Sequence, residues 1–305
     1  MFDAGPLRTF LVLAEAGRMS RAAALLHLSQ PAISAQLAGL EEDLGTPLFF
    51  RTPKGLVLTD AGRIFQGHVE RAMLQLRDAR EAVKALAGLE KGELAIGGGA
   101  TATTYLLPRI LREFHEQHPG IRLRVREQGS RAVVDAVLGG ELDLGIVTQP
   151  IEAPYGRLRV LPWVEDELLL IVPPKHRLAA RRSFRWKELE GQPLVMFEGQ
   201  SAVRDLIERQ LALAGVEPVI VMELRSIDAI LQMVQQGIGA GFVSRWALVG
   251  SRFAAFARGP SKRHAGLRSA DQRLVRTLAI VSRADRAPTA AASAFVDLMQ
   301  RLGAN

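Results

Sequence analysis

Apolar positions recur at helical spacing from the first turn of the chain. Pro6 suits the opening of a helix, Phe10, Leu11 and Ala14 then share one face, and Gly17 predicts its end. Ser20 is a good N-cap for a second short helix carrying Ala23, Ala24 and Leu26. Ser29-Gln30-Pro31 restarts the chain as a third helix, with Ile33, Leu37, Leu40 and Leu44 spaced 4-3-4 and Gly45 as its stop. Three short helices with a tight break between the second and third predict a helix-turn-helix. Strands at 48–51 and 56–58, joined by Thr52-Pro53-Lys54-Gly55, add a hairpin wing.

The buried stripe of the third helix fixes its outer face. Pro31, Ala35, Ala38 and Glu42 lie opposite the stripe, with Ala32 and Ser34 on the flanks. In a major groove the N-terminal residues of such a helix meet the base edges. Gln30 and Ser34 can hydrogen-bond there, whereas Ala32 and Ala35 offer only contact with a thymine methyl. Arg51 and Lys54, near the wing tip, are placed for phosphate or the minor groove. The candidate DNA-binding set is therefore Ser29, Gln30, Pro31, Ala32, Ser34, Ala35, Arg51 and Lys54. A small helical domain with a surface hairpin is the plainer reading of the same pattern.

Thr59 predicts the cap of a long helix running to about Leu89. Phe65, Val69, Ala72, Leu76, Ala79, Val83 and Leu86 step alternately by four and three, a heptad seam. The alternative is an amphipathic helix packed on its own domain. Pairing between chains is preferred, because so long a helix between two domains has little else to cover its seam. Phe65, Val69, Leu76, Val83 and Leu86 are the candidate dimerisation residues, and Gly88 and Lys91-Gly92 read as a linker.

From Glu93 onward the period changes to strand–helix–strand. LAIGG, IRLRVRE and LDLGIVT are strands, with a helix from Tyr105 to Phe114 and another capped by Ser130 between them. The pattern recurs 96 residues later: Glu127, Ser130 and Gly145-Ile146-Val147-Thr148 align with Glu223, Ser226 and Gly241-Phe242-Val243-Ser244. Two α/β lobes follow, lobe I at about 92–162 and 266–305 and lobe II at about 163–265. Ligands of open α/β sheets bind beyond the carboxyl ends of the strands. Helix starts there favour an anion. The candidate effector set is Thr101, Thr103, Ser130, Thr148, Phe197, Ser201, Arg204, Ser226 and Phe242, with Ser244 at an equivalent strand end. Each Ser or Thr taken singly is more readily a plain N-cap, and it is their repetition at equivalent places in both lobes that raises the binding-site reading.

Composition narrows the classes. The 305 residues are 48% hydrophobic and 23% charged, which excludes wholesale disorder. No apolar run suits a membrane span, and MFDAGPLRTF has neither basic leader nor apolar core, so no secretory signal is expected. The absence of cysteine removes disulfides and thiolate chemistry, and it fits a reducing cytoplasm. The net charge of +7 suggests a polyanionic partner, yet residues 1–60 hold five basic against six acidic residues. Bulk charge therefore does not single out the DNA-facing segment.

The stretch FLVLAEAGRMSRAAALLHLSQPAISAQLAGLEEDLGTPLFFRTPKGLVLTDAG resembles the winged helix-turn-helix of LysR-type transcriptional regulators. YLLP, GELDLGIV and VQQGIGAGFVS extend the resemblance over almost the whole chain. It implies a winged helix-turn-helix at 1–60, a linker and dimerisation helix at 61–91, and a two-lobed α/β effector domain at 92–305 that resembles periplasmic binding proteins. It also implies a cytoplasmic, non-enzymatic regulator, a dimer or tetramer. Its partners would be double-stranded DNA, a small-molecule effector and RNA polymerase, with no membrane partner, no metal and no cofactor beyond the effector. FEGQSAVRD and VIVMELRSIDAI resemble the branch with carbon-fixation and sulfur-assimilation regulators. The chain departs from relatives at Ala35, where a long polar or basic residue is frequent, and at Gly99-Ala100, where Ser-Thr is frequent.

Two other classes compete. Gly97-Gly98-Gly99-Ala100-Thr101-Ala102 fits G-x-G-x-x-A after a strand, and Glu127 could hold a ribose, which would make a dinucleotide-binding oxidoreductase. A solute-binding protein suits the lobes but not the first sixty residues. His115-Glu116-Gln117-His118 lacks metalloprotease spacing.

Overall fold

The computed structural model describes residues 4–53, 55–85, 92–151, 156–199, 201–248 and 266–303 in two compact units, Met1–Leu86 and Ala87–Asn305. Lys54, Leu86, Gly88 and Lys91 lie outside the described residues.

In the first unit, helices α1 (Ala4–Ala16), α2 (Met19–Leu26) and α3 (Gln30–Leu44) precede a hairpin of β1 (Phe49–Thr52) and β2 (Gly55–Leu58), and α4 (Asp60–Ala85) follows. Phe10 is fully buried at the centre, its ring 5.4 Å from Phe49 and 5.1 Å from Phe65. Ile33, Leu37 and Leu40 of α3 close the core as their spacing predicts, and Leu44 packs at its edge. Ser20 does not cap α2. Gly17 takes a left-handed turn, so the helix begins at Met19, with Arg18 in the cap position and Ser20 inside the first turn. His27 is also left-handed, and this makes the tight break before α3. Ser29 then caps α3 by accepting from the Ala32 N–H. The wing is anchored at its base: the Leu56 N–H donates to the Gly17 carbonyl at 2.7 Å, and a Cβ on Gly55 would lie 2.3 Å from that same oxygen.

The second unit is one eight-stranded sheet with helices on both faces. Its elements are β3 (Gly92–Gly98), α5 (Leu107–Gln117), β4 (Ile121–Glu127), α6 (Ser130–Leu138), β5 (Leu144–Thr148), β6 (Leu158–Ile171), β7 (Ser183–Phe184), β8 (Pro193–Phe197), α7 (Ala202–Ala214), β9 (Val219–Leu224), α8 (Ile227–Gln235), β10 (Ala240–Ser244), α9 (Arg245–Leu248), β11 (Arg268–Ser269), β12 (Val275–Arg283) and α10 (Ala290–Leu302). The strand order β4-β3-β5-β12-β6-β10-β8-β9 is two equivalent halves meeting at the antiparallel pair β12–β6. Residues 158–167 of β6 pair with β12, and residues 168–171 pair with β10, so one strand runs through both lobes. Within each half, β3 lies between β4 and β5 just as β8 lies between β9 and β10. β5 and β10 start at 144 and 240, the sequence repeat made physical.

Lobe I buries Phe114 against Phe295, which holds α10 on the face opposite α6. Lobe II is built around Phe184, Trp186 and Phe242. The helix expected from Tyr105 to Phe114 begins earlier, as a π-helical turn over Thr101–Leu106 that runs into α5. The Leu107 N–H bonds the Ala102 carbonyl five residues back, and Pro108, next in line, has no N–H to impose the α pattern. Ser130 is not a cap either: Gly129 holds the extended cap position and Ser130 is the first helical residue.

Candidate functional site

On the first unit, the start of α3 and the wing enclose a groove. Gln30, Pro31, Ser34 and Arg51 line it together with Arg18, Ser20 and Thr52, and no carboxylate does among the described residues. Gln30, Pro31, Ala35 and Arg51 are exposed, and Ala32 and Ser34 are half-buried. Neither Arg18 nor Arg51 has an ion-pair partner among the described residues. Two uncommitted cations beside an exposed helix start suit a polyanion, and the helix dipole adds to them. The sequence reading missed Arg18, which Gly17 turns towards the wing. It also missed Glu41, whose carboxylate accepts from the Leu48 N–H at 2.7 Å and fixes where the wing begins.

The heptad seam of α4 divides in two. Phe65 meets Phe10 edge to face and Val69 is 3% exposed, so both serve their own unit's core rather than a second chain. Beyond them Leu76 and Val83 are 56% and 67% exposed, and Ala72 and Ala79 are exposed on the same stripe. The exposed stripe left for a second chain is thus shorter than the spacing implies, because the first turns of α4 lie on α1.

In the second unit, a buried ion pair joins the lobes. Arg276 on β12 stands opposite Asp166 on β6 in register. Its Nε donates to Asp166 Oδ2 at 2.8 Å, and the two residues are 7% and 0% exposed. The same guanidinium donates to Thr101 Oγ1 at 2.8 Å and to Thr148 Oγ1 at 3.2 Å, both in lobe I. On the other side Ser244, in lobe II, donates to Asp166 Oδ1 at 2.6 Å. Ser130 accepts from the Thr148 N–H at 3.0 Å and joins the network. Thr101, Ser130, Thr148 and Ser244 are therefore brought together, and neither charge at their centre was foreseen. The signal was present as charged residues inside otherwise apolar strands, WVEDELLLIV and VRTLAIVS.

The other candidates divide. Ser201 and Ser226 cap α7 and α8 by accepting from the Val203 and Ala229 N–H groups. Thr103 donates to Glu127 at 2.8 Å within lobe I. Arg204 bonds Glu208 and Glu223, which raise its pKa, and it also donates to the Phe197 carbonyl. It is therefore committed to lobe II rather than held ready for a carboxylate. Phe197 and Phe242 are 7% and 1% exposed in the lobe II core, and Phe242 stacks on Trp186 at 5.4 Å. Both side chains are part of the lobe II core cluster. A second contact between the lobes was also missed: the Tyr105 hydroxyl, on the π-helical turn, donates to Asp228 in the first turn of α8 at 2.7 Å. Burial, then the Asp228 carboxylate, pushes the Tyr105 hydroxyl well above its ordinary value of 10.0.

Packing accounts for two of the three glycines in the dinucleotide-like run, while Gly99 has only the Gln128 carbonyl at 4.0 Å from its would-be Cβ. A Cβ on Gly97 would lie 2.3 Å from Leu142 Cδ1, and one on Gly98 would lie 3.2 Å from Ala102. Gly97 and Gly98 make room for neighbouring side chains. Glu127 is occupied by Thr103. Among the described residues no cluster of acidic and histidine side chains could hold a metal, and no helix is long and apolar enough to cross a membrane.

A winged helix-turn-helix and a two-lobed α/β domain with a polar interlobe network define a DNA-binding regulator with a ligand-sensing domain. The chain belongs to the LysR family of transcriptional regulators: residues 5–63 match the bacterial regulatory helix-turn-helix protein of the lysR family, and residues 87–304 match the LysR substrate binding domain. A protein of Synechocystis sp. described as a probable RuBisCO transcriptional regulator is 35% identical over 251 residues, 81% of this chain and 73% of that protein. One from Emiliania huxleyi with the same description is 34% identical over 80% of this chain and 79% of its own length. Among solved structures, CbnR, a LysR family transcriptional regulator, has a TM-score of 0.67 at 23% identity and 99% coverage of both chains. The regulatory domain of Synechocystis CcmR, solved in complex with 2-PG, has a TM-score of 0.62 at 24% identity, covering 70% of this chain and 99% of that one. The protein is a transcription factor and not an enzyme.

Proposed function

We propose that this regulator senses a small anionic metabolite, a phosphorylated or carboxylated acid, in the cleft between its lobes, and that it does so in the cytoplasm as a dimer or tetramer without a cofactor. The observation that supports the reading is the bonding of the hydroxyls assigned to the cleft. Ser130, Ser201 and Ser226 each accept from a backbone N–H, and Thr101 and Thr148 each accept from Arg276. A hydroxyl whose oxygen already accepts keeps one O–H to donate. Five free O–H groups, with the helix starts of α7 and α8 beside two of them, suit a ligand rich in accepting oxygens.

The relatives described as probable RuBisCO regulators support carbon-fixation genes as the target, and the 2-PG complex of the CcmR domain supports an acid of that class as effector. A ligand touching both lobes favours one lobe orientation, and that differential affinity is what would reset the oligomer on DNA. The test is a gel shift on the DNA upstream of the gene, with wild type, Thr101→Ala and Ser201→Ala, with and without 2-PG. Both variants are expected to bind DNA and to lose the response to 2-PG. Normal responses from both would refute the site.

A further inference from the structure

We infer that Arg18 is a DNA-backbone contact, and that with Arg51 it makes the groove between the helix-turn-helix and the wing a seat for one sugar-phosphate strand. DNA binding itself follows from the family; Arg18 lies outside both α3 and the wing, and it holds the strand without reading sequence. Three elements converge on this groove of about 580 Å³: Arg18 and Ser20 from the start of α2, Gln30 and Ser34 from the start of α3, and Arg51 from the wing. Arg18 reaches it by a fixed route. Gly17, left-handed at φ +64°, turns the chain out of α1, and its carbonyl accepts from the Leu56 N–H at 2.7 Å. A Cβ on Gly55 would lie 3.3 Å from Arg18 Cγ, so the stem of Arg18 is laid against the wing. The turn and the wing are thereby tied together, with one arginine on each.

Charge separates this groove from the rest of its domain. Residues 1–60 hold five basic and six acidic residues, so net charge draws no polyanion to them. Two of the five basic side chains nevertheless line the groove, and none of the acidic ones does among the described residues. Glu41, Glu42 and Asp43 lie in the last turns of α3, at the far end of that helix from Gln30. Arg18 and Arg51 are both exposed, and neither has an ion-pair partner among the described residues. A planar guanidinium with its donors free matches phosphate oxygens. The exposed positions Pro31, Ala35 and Ala38 of α3 carry no hydrogen-bonding side chain, which leaves Gln30 and Ser34 to read base edges. Backbone contacts must then set the register of α3 on the duplex, and Arg18 supplies one from the side opposite Arg51.

The test is fluorescence anisotropy of the intact protein on two duplexes, the DNA upstream of its gene and a scrambled duplex of the same length, over a fourfold range of salt. Arg18→Gln removes the charge and keeps a stem against Gly55, whereas Arg18→Lys keeps the charge. For each protomer seated on DNA, Arg18→Gln is expected to lower the salt slope by about 0.9, so that fourfold more salt costs it about 3.5-fold less affinity than it costs wild type. It should weaken both duplexes by the same factor, because a phosphate carries no sequence. Arg18→Lys should keep the wild-type slope. Arg51→Gln should lower the slope by a similar amount, and the double variant by the sum of the two. A wild-type slope in Arg18→Gln overturns the inference, and so does a loss confined to the gene's own duplex, which would make Arg18 a reader of bases. Equal losses from Arg18→Lys and Arg18→Gln, the mark of a packing role, overturn it as well. A double variant with the slope of either single variant overturns the two-sided seat. Should Arg18→Gln fail to fold, Arg18→Met keeps the apolar stem and is read in the same way.

Discussion

Replacing Gly62 by alanine sets two effects against each other. Gly62 is the third residue of α4, and a helix gains up to about 1 kcal/mol from Gly to Ala in the open. Here a Cβ would lie 2.2 Å from the Leu48 carbonyl oxygen and 2.9 Å from Leu58 Cδ2. The nearest obstacle is backbone, held in place by the Thr59 N–H, which donates to that same carbonyl at 3.0 Å, so it cannot swing away. Overpacking costs about 1–3 kcal/mol, and with an immovable backbone oxygen as the obstacle the cost falls in the upper half of that range, so the strain should exceed the propensity gain by about 1–2 kcal/mol. Gly39, on the exposed side of α3 with nothing within 4 Å of its would-be Cβ, is the control, where alanine should stabilise. All three tryptophans (Trp163, Trp186 and Trp246) lie in the second unit, so fluorescence is blind to this change. Native-state hydrogen exchange on peptides from α1 and α3 reads it instead. Gly62→Ala should lower their protection roughly 5- to 30-fold, and Gly39→Ala should raise it. Protection in Gly62→Ala equal to wild type would refute the packing of α4 against the wing.

Other consequences follow from the same geometry. Arg51→Ala should weaken DNA binding and lower its salt slope by about 1, as expected for one lost phosphate contact, whereas Ser34→Ala should alter sequence preference; wild-type salt dependence in the first would move Arg51 off the DNA. Leu76→Asp, on the exposed part of the α4 stripe, should yield smaller species by light scattering and poor DNA binding, and an unchanged mass would mean that this stripe pairs with nothing. Tyr105 should ionise well above 10.0, so its bond to Asp228 persists through neutral and mildly alkaline pH and is lost only as pH rises past that raised value. Ultraviolet titration of wild type against Tyr105→Phe would show this, and a Tyr105 signal titrating near 10 would contradict the buried contact.

The sequence was most legible where local chemistry and burial agree. The 4-3-4 stripe of α3, its start at Ser29-Gln30-Pro31 and its Gly45 stop all appear in place, because each is decided within one helix. The 96-residue repeat foretold two similar halves, since strand–helix–strand units carry their own periodicity. What escaped was decided by distant partners. Phe65 and Val69 satisfy a heptad yet pack on α1, and helical spacing cannot say which surface a stripe meets. Arg276 and Asp166 lie 110 residues apart and gain meaning only when β12 and β6 pair. Phe197 ends β8 and Phe242 lies mid-way along β10, and both are taken up by the lobe II core, whose partners come from distant segments.

The most direct measurement is a footprint of the intact protein on the DNA upstream of its own gene, taken with and without saturating 2-PG. Binding between the lobes should change the length or phasing of the protected region, and inorganic phosphate at the same concentration should do so less. Identical footprints in every condition, with no heat of binding for the acid, would contradict the central claim that an anion in the interlobe cleft governs how this regulator holds DNA.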